Sequence, residues 1–428
     1  MKGAPRTGGK SSRDGVLLFT TRSIRLFSYG LLAVVLVLYL SELGMGDGLI
    51  GLLLTLTLAG DTLVSLWITT RADRVGRRTM LIAGALLMTA AGLPFGLSDD
   101  FAVLVVAATL GVISPSGNEV GPFLAIEQAA LSQIVNDDRR TSTFAWYNLV
   151  GAFSTALGAL AGGWSAQALR GAGMDALSAY RVLVFAYAAF GLVLALLFSF
   201  LSRGIEAVPE AAAFAAAPSS APSAGPRRAA ASANFLGLGE SRRIVAKLAA
   251  LFSLDAFAGG FVVQSIVAYY FHKRYGVEPG LLGSIFFGAN VLAGLSALSA
   301  AWVAKRIGLV NTMVFTHIPS NILLIMVPLM PSLPLAIAVL LARFSISQMD
   351  VPTRQSYTMS VVKPEERSAA AGLTGIARTT GAALAPALAG QLIAAPALAG
   401  APFLVAGILK IVYDLLLYAG FRKADRKG

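Results

Sequence analysis

The sequence predicts an all-α membrane protein in which twelve transmembrane helices form two pseudo-symmetric six-helix bundles, with both termini in the cytoplasm. Three observations support this prediction. Apolar residues make up 56% of the 428 residues and charged residues only 13%, and the mean hydropathy is +0.72, as in chains surrounded mainly by lipid. Apolar runs of about 20 residues, enough to cross a hydrocarbon core of about 30 Å, recur along the chain. Segments of the second half repeat segments of the first.

Charged residues, glycine or proline separate the apolar runs. The predicted spans are, in chain order, 24–43, 48–70, 79–97, 101–134, 143–168, 180–201, 244–271, 279–303, 309–330, 334–361, 368–394 and 399–421. We expect helices, because lipid cannot hydrogen-bond an exposed backbone, and the alternation typical of barrel strands is missing from the sequence. The predicted units are a cytoplasmic tail, the N-terminal bundle, a flexible cytoplasmic linker, the C-terminal bundle and a basic cytoplasmic tail, at 1–21, 22–201, 202–243, 244–421 and 422–428.

Lysine and arginine predict the orientation, since basic residues that flank spans stay in the cytoplasm. With the N-terminus inside, the cytoplasmic side holds most of them, among them Arg22, Arg25, Arg71, Arg74, Arg77, Arg78, Arg139, Arg140, Lys305, Arg306 and Arg367. The net charge of +12 is then a consequence of topology, with the lipid bilayer as partner and no nucleic acid. The first apolar run is too long for a signal-peptide core, so we expect a retained span in a multi-pass protein of the bacterial cytoplasmic (inner) membrane.

An internal repeat relates the two halves. An offset of 227 residues aligns Leu157–Gly163 with Leu384–Gly390, and an offset of 232 aligns Ala72–Gly76 with Ala304–Gly308. Two such matches at equivalent places indicate duplication, as expected for parallel halves related by an axis along the membrane normal.

The sequence Ala-Asp-Arg-Val-Gly-Arg-Arg, residues 72–78, resembles the loop signature of the major facilitator superfamily (MFS). Thr69 replaces the family's upstream glycine and Arg71 an apolar residue, and the second copy has Lys305 in place of the acid. The resemblance implies an MFS fold and a cytoplasmic gate that locks the halves together. The predicted gate residues are Asp73, Gly76, Arg77, Arg78, Glu127, Arg354 and Arg378, with Glu127 as the expected partner of Arg77 or Arg78. The alternative is that the loop arginines serve only as positive-inside anchors.

The stretch from Ser154 to Gly163 in span 5 resembles a weakened form of the signature of 12-span drug/proton antiporters, with Ala159 where proline is expected. Small residues at this spacing are also what closely packed membrane helices need, so a purely structural role is the alternative.

Ionisable residues within spans are costly and mark functional candidates. The acids are Asp61, Glu119, Glu127, Asp255, Asp350 and Asp414, and the bases are Arg343, Arg354, Arg378 and Lys410. We expect proton coupling first at Glu119 and Asp255, then at Asp61 and Asp350, because burial lets a carboxylate exchange a proton near neutral pH. Lys410 with Asp414, and Asp350 with Arg354, can instead neutralise each other along one helix face. Glu127 and Arg354 are repeat-related and of opposite charge, so a bridge between the halves is a further hypothesis.

The cavity is expected between spans 1, 4, 7 and 10, which line it in the resembled family. Residues 114–119 and Gly259-Gly260 break spans 4 and 7, either to form a binding site or to kink the helix for packing. Asp61, Glu119, Asp255, Asp350, Arg343, Gln264, Asn290 and Tyr39 are the predicted substrate and proton pathway.

The leading functional hypothesis is secondary active transport by alternating access, with proton-coupled efflux of a small cationic or amphipathic compound by a monomer. One alternative is an organic-anion transporter that uses Arg343, Arg354 and Arg378. Another is a membrane receptor or assembly factor with the same fold. With no cysteine, two histidines and no nucleotide-binding loop, the sequence predicts no metal site, no cofactor and no enzyme activity.

Overall fold

A computed structural model describes residues 8–119, 121–135, 137–206, 238–363 and 366–422. The N-terminal half contains α1 (Gly8–Glu42), α2 (Asp47–Val75), α3 (Arg77–Leu97), α4 (Phe101–Leu110), α5 (Phe123–Ile134), α6 (Asp137–Gly171) and α7 (Ala176–Ser199). The C-terminal half contains α8 (Arg242–Gly260), α9 (Gln264–Tyr275), α10 (Pro279–Ile307), α11 (Leu309–Met326), α12 (Leu333–Phe344), α13 (Asp350–Val361), α14 (Arg367–Ala394) and α15 (Ala401–Phe421). Most of the predicted linker and the ends of both tails lie outside the described residues, so the division into these units stays a prediction. Helix α1 runs through the predicted boundary between the N-terminal tail and the bundle at residues 21 and 22.

Within the described ranges, 9 helical segments are long and apolar enough to cross a membrane. The predicted spans 4 and 10 are each divided into two shorter helices, α4 with α5 and α12 with α13. The first interruption was predicted at residues 114–119. In the structure Pro115 lies in it, and Gly117 and Gly121 have positive φ angles that do not continue a helix. The second interruption was not predicted. The break after Gly259-Gly260 in span 7 is also confirmed, because α8 ends at Gly260 and α9 begins at Gln264.

Each half forms one helical bundle. In the N-terminal bundle α1 packs against α6 and α7, and in the C-terminal bundle α8 packs against α14 and α15. The bundles meet where α2 crosses α14 and α6 crosses α10. Glycines permit these close approaches: a Cβ on Gly158 would lie 1.9 Å from the carbonyl oxygen of Phe27, and one on Gly163 would lie 2.2 Å from that of Pro279. The small residues of span 5 therefore serve helix packing, as one of the two interpretations predicted.

The α2–α3 turn has the conformation that the loop motif predicts. Gly76 has φ 113°, and its repeat partner Gly308 has φ 88°, both backbone conformations that favour glycine. The predicted contact of Arg77 or Arg78 with Glu127 is wrong for this conformation. The Arg77 guanidinium instead bonds to Asp73 Oδ1 at 2.8 Å and Gln133 Oε1 at 2.8 Å, and the amides of both arginines donate to Glu206. Glu206 thus accepts hydrogen bonds from the free amides at the start of α3.

Candidate transport site

The bundles are joined by polar contacts at the end where α1 connects to α2, which we call the closed end. Lys273 Nζ lies 2.6 Å from Asp47 Oδ2, and Arg170 lies 2.7 Å from Glu278, each an ion pair between the two halves. Deeper in, the amide of Ser265 at the start of α9 donates to the Pro115 carbonyl at 3.1 Å. The interrupted spans 4 and 7 thus meet through backbone atoms at the centre of the molecule.

Both bundles line a cavity of about 510 Å³ next to this central contact. Its polar wall in the N-terminal bundle includes Asp61, Thr62, Ser116, Asn118, Glu119 and Thr155. Its polar wall in the C-terminal bundle includes Asp255, Gln264, Asn290, His317, Arg343, Asp350, Arg354, Arg378 and Lys410. A hollow of this size, enclosed by two bundles and lined with ionisable groups, suits a small polar ligand.

Buried ion pairs hold the N-terminal wall. Arg25, with its side chain 0% exposed, binds Glu127 through two nitrogens at 2.7 and 2.6 Å, and Tyr147 donates to the same carboxylate. Arg22 and Arg25 also bind Glu119 at 2.7 and 2.9 Å. These contacts join α1 to the interruption in span 4, through Glu119, and to α5, through Glu127. Glu119 is therefore a neutralised acid in this conformation.

Asp61 is the exception on this wall. Its carboxylate is 7% exposed and has the Ser65 hydroxyl at 3.5 Å, and no cation lies within ion-pair distance among the described residues. It can gain or lose a proton without breaking a salt bridge.

Asp255 is the centre of the C-terminal wall. Lys410 Nζ lies 2.6 Å from Asp255 Oδ1, while Arg354 and Arg378 lie 3.2 and 3.5 Å from Oδ2. Arg354 also binds Asp350 at 2.9 Å, as the four-residue spacing predicted. The proposed neutralisation of Lys410 by Asp414 is not the arrangement found. Asp414 Oδ1 is 2.9 Å from His317 Nδ1, and Asn321 donates to its other oxygen at 3.0 Å.

The hypothesis of a bridge between Glu127 and Arg354 is not met in this conformation. Glu127 is fully buried against α1, and Arg354 binds two acids of its own bundle. Arg354 and Arg378 lie in the cavity wall, whereas Asp73, Gly76, Arg77 and Arg78 lie at the α2–α3 turn. The predicted gate residues thus belong to three separate places.

Arg343 lines the same cavity without an acidic partner in the described part of the chain. Its guanidinium packs 4.9 Å from the centre of the Phe344 ring, and its buried Nε has no hydrogen bond to any described residue. Asn290 donates to Gln264 Oε1 at 3.0 Å, and Gln264 Nε2 is a second buried donor, with no acceptor among the residues that the structure describes. Both amides line the cavity as predicted. Tyr39 does not: its side chain is fully buried, and its hydroxyl donates to the Phe95 carbonyl inside the N-terminal bundle.

Sequence reasoning missed three residues of this site. The orientation rule explains Arg22 and Arg25 as cytoplasmic charges, although their position three residues apart at the start of an apolar run puts both on one face of α1. His317, one of the two histidines, is the third. Its position inside a span was the available indication.

A family model described as Major Facilitator Superfamily matches residues 18–386. The uncharacterized membrane protein YJR124C of Saccharomyces cerevisiae is 32% identical over 431 residues, which cover 97% of this chain and 96% of the yeast protein. Among solved structures, an inward-facing, occupied bacterial homologue of the human lysosomal transporter Spinster is similar with a TM-score of 0.72 at 15% identity, over 98% of each chain. The nucleoside transporter NupG is similar with a TM-score of 0.70 at 14% identity, over 96% of this chain and 99% of NupG. This multi-pass membrane protein belongs to the major facilitator superfamily of transporters.

Proposed function

We propose that the protein is a secondary transporter that carries a small organic solute with an anionic group through the cavity between its bundles. Arg343 is the observation that supports this proposal. It is a cation in the cavity wall with an unused buried donor and, in the described ranges, no acid to neutralise it. A planar guanidinium binds carboxylate or phosphate through two parallel hydrogen bonds. Arg378, whose side chain is 35% exposed and only loosely paired with Asp255, supplies a second cation nearby.

We assign proton coupling to Asp61. Glu119, Asp255 and Asp350 were also predicted for this role, but each is held in a salt bridge. Ionised Asp61 repels an anion in the same cavity, and protonated Asp61 does not. Proton and anion therefore favour each other's binding, which is the condition for moving them together.

Arg343→Gln is expected to lower the uptake of carboxylates by about 10- to 150-fold, since a charge-assisted hydrogen bond contributes about 1.5–3 kcal/mol. The measurement uses proteoliposomes with labelled lactate, succinate and citrate as anionic probes and tetraethylammonium and choline as cationic probes. Arg343→Lys, which keeps the charge but loses the fork, should give an intermediate rate. Unchanged carboxylate flux in Arg343→Gln, with a wild-type thermal transition, contradicts the assignment.

Asp61→Asn is expected to weaken the acceleration of carboxylate uptake by an inward proton gradient, while leaving folding intact. The side chain accepts hydrogen bonds from the Ser65 hydroxyl and the Gly121 backbone and forms no ion pair in the described chain, so the isosteric amide, whose oxygen can still accept, costs little stability. Asp73→Asn, at the distant α2–α3 turn, is the matched control and should keep the wild-type pH profile. A wild-type profile in Asp61→Asn argues against coupling at this site.

Proton-coupled export of a cationic compound is the second candidate, and Asp61 itself favours it. A carboxylate without a cation in the cavity wall can bind a cationic substrate and a proton in turn. Competition by tetraethylammonium or choline, and not by carboxylates, would identify this mode. The monomeric state stays a prediction. The bacterial inner membrane also stays a prediction, because the 32% identical relative is a yeast protein.

A further inference from the structure

His317 occupies a buried position between the cavity and a sealed carboxylate. The imidazole is 5% exposed and lines the cavity, while Asp414 behind it is 0% exposed. Nδ1 of His317 lies 2.9 Å from Asp414 Oδ1, and when Asp414 is ionised its carboxylate only accepts hydrogen bonds, so Nδ1 is the donor. This contact fixes the ring orientation. The other nitrogen, Nε2, then points toward Asp255 Oδ1, 4.0 Å away, and has no hydrogen bond at that distance.

Charged groups from several helices face this imidazole. They are Asp414 and Lys410 of α15, Asp255 of α8, Asp350 and Arg354 of α13, Arg378 of α14 and Arg343 of α12. The Tyr413 ring of α15 also packs there, with its centre 6.1 Å from that of the imidazole. The α10 residues that line the cavity are uncharged. The three acids are balanced by Lys410, Arg354 and Arg378. Arg343 is left in excess while His317 is neutral.

An anion bound at Arg343 cancels that excess charge. With the anion bound, the cluster can accept one proton and return to the net charge that it has without the anion. Nε2 of His317 is the nitrogen in the wall that can take this proton. Coupling of this kind is reciprocal: if the anion favours the proton, the proton favours the anion to the same extent. Resting on the proposed function, we infer that His317 is a second proton-binding residue, so that each anion is carried with two protons, one at Asp61 and one at His317.

The pH dependence of transport tests this inference. Below saturation, the initial rate of lactate uptake rises by up to about tenfold per unit fall in external pH for each proton that must bind, so two protons give up to about a hundredfold. We expect His317→Gln to reduce this dependence to about tenfold. In the Asp61→Asn background, His317→Gln should remove the remaining pH dependence of the uptake rate. His272→Gln is the matched control, because His272 bonds to the Val277 carbonyl near the end of α9 and does not line the cavity.

A second measurement does not depend on whether His317→Gln folds. The chain has two histidines, so the His272→Gln protein labelled with 15N-histidine reports on His317 alone. We expect its ring signals to move reversibly with pH in detergent solution, and to move again when lactate is added at constant pH. Arg343→Gln should abolish only the second response.

The outcomes separate this inference from the proposed function. Lactate uptake that depends on Arg343 but keeps the full pH dependence in His317→Gln would overturn the proton site and leave the anion transporter standing. Ring signals of His317 that do not change with pH, or that do not respond to lactate while lactate is transported, would overturn it as well. If no carboxylate is carried and cations compete instead, the proposed function fails and the inference fails with it.

Discussion

Replacing Arg25 with methionine is expected to cost about 3–5 kcal/mol of stability, because Glu127 then remains as a buried carboxylate without its cation. The two side chains are both 0% exposed and are joined by two hydrogen bonds of 2.7 and 2.6 Å. Only the Tyr147 hydroxyl is left to stabilise the acid in the described chain. The change should appear as a lower thermal transition of purified protein and as reduced recovery from the membrane.

A double variant distinguishes the ion pair from simple packing. Arg25→Met combined with Glu127→Leu removes both charges and keeps the volume roughly constant, so most of the lost stability should return. Asp73→Asn is the exposed comparison: the Asp73 side chain is 67% exposed in its pair with Arg77, and its loss should cost about 1 kcal/mol or less. Equal losses in Arg25→Met and Asp73→Asn, or no recovery in the double variant, would contradict a stabilising role for the buried pair.

The charged residues of the site show what a single sequence can predict. Asp350 and Arg354 form the pair expected from their spacing, because helix geometry alone brings residues four apart together. Lys410 and Asp414 have the same spacing and do not pair. Each has a partner on another helix, 155 and 97 residues away. Hydropathy places a residue within a span, but it does not determine which side chains of other spans it meets.

The fold was more predictable than the site for a related reason. A helix surrounded by lipid requires a continuous apolar run, which is visible in the sequence. The internal repeat also lets each half predict features of the other. The interruption of span 4 was predicted from Pro115 and its neighbours, whereas the repeat-related interruption between α12 and α13 was not, since residues 345–349 contain neither glycine nor proline. The network of Arg22 and Arg25 was missed because basic residues near the start of a span are also what topology requires.

Leucine at Gly163 is expected to open the closed end of the protein. A Cβ at this position would lie 2.2 Å from the Pro279 carbonyl oxygen and 2.8 Å from the Gly283 Cα, both backbone atoms of the opposite bundle. The same repeat relates this contact to a second one. Offsets of 227 and 232 residues carry Gly163 to Gly390 and Gly51 to Gly283, and Gly51 lies against Gly390 in the same way. Two symmetric glycine crossings therefore close this end.

Overpacking of this kind costs about 1–3 kcal/mol, so the ratio of closed to open molecules should fall by about 5- to 150-fold. The cost falls only on the conformation in which the crossing is formed, because the opposite bundle supplies the clashing atoms. Gly390→Leu should have the same effect by symmetry. Gly171→Leu, on the same helix with open space around it, is the matched control for Gly163.

The chain has no cysteine, so spin labels can be introduced at chosen pairs without background. Met174 and Leu398 are exposed positions in the two bundles at the closed end, and Val75 and Ile307 are exposed at the opposite end. In lipid nanodiscs, Gly163→Leu is expected to lengthen the distance between labels at Met174 and Leu398 and to shorten the one between labels at Val75 and Ile307. Because this readout requires no substrate, it tests alternating access separately from the anion assignment. Distances that match wild type in both pairs would show that the glycine crossings do not control which end is closed.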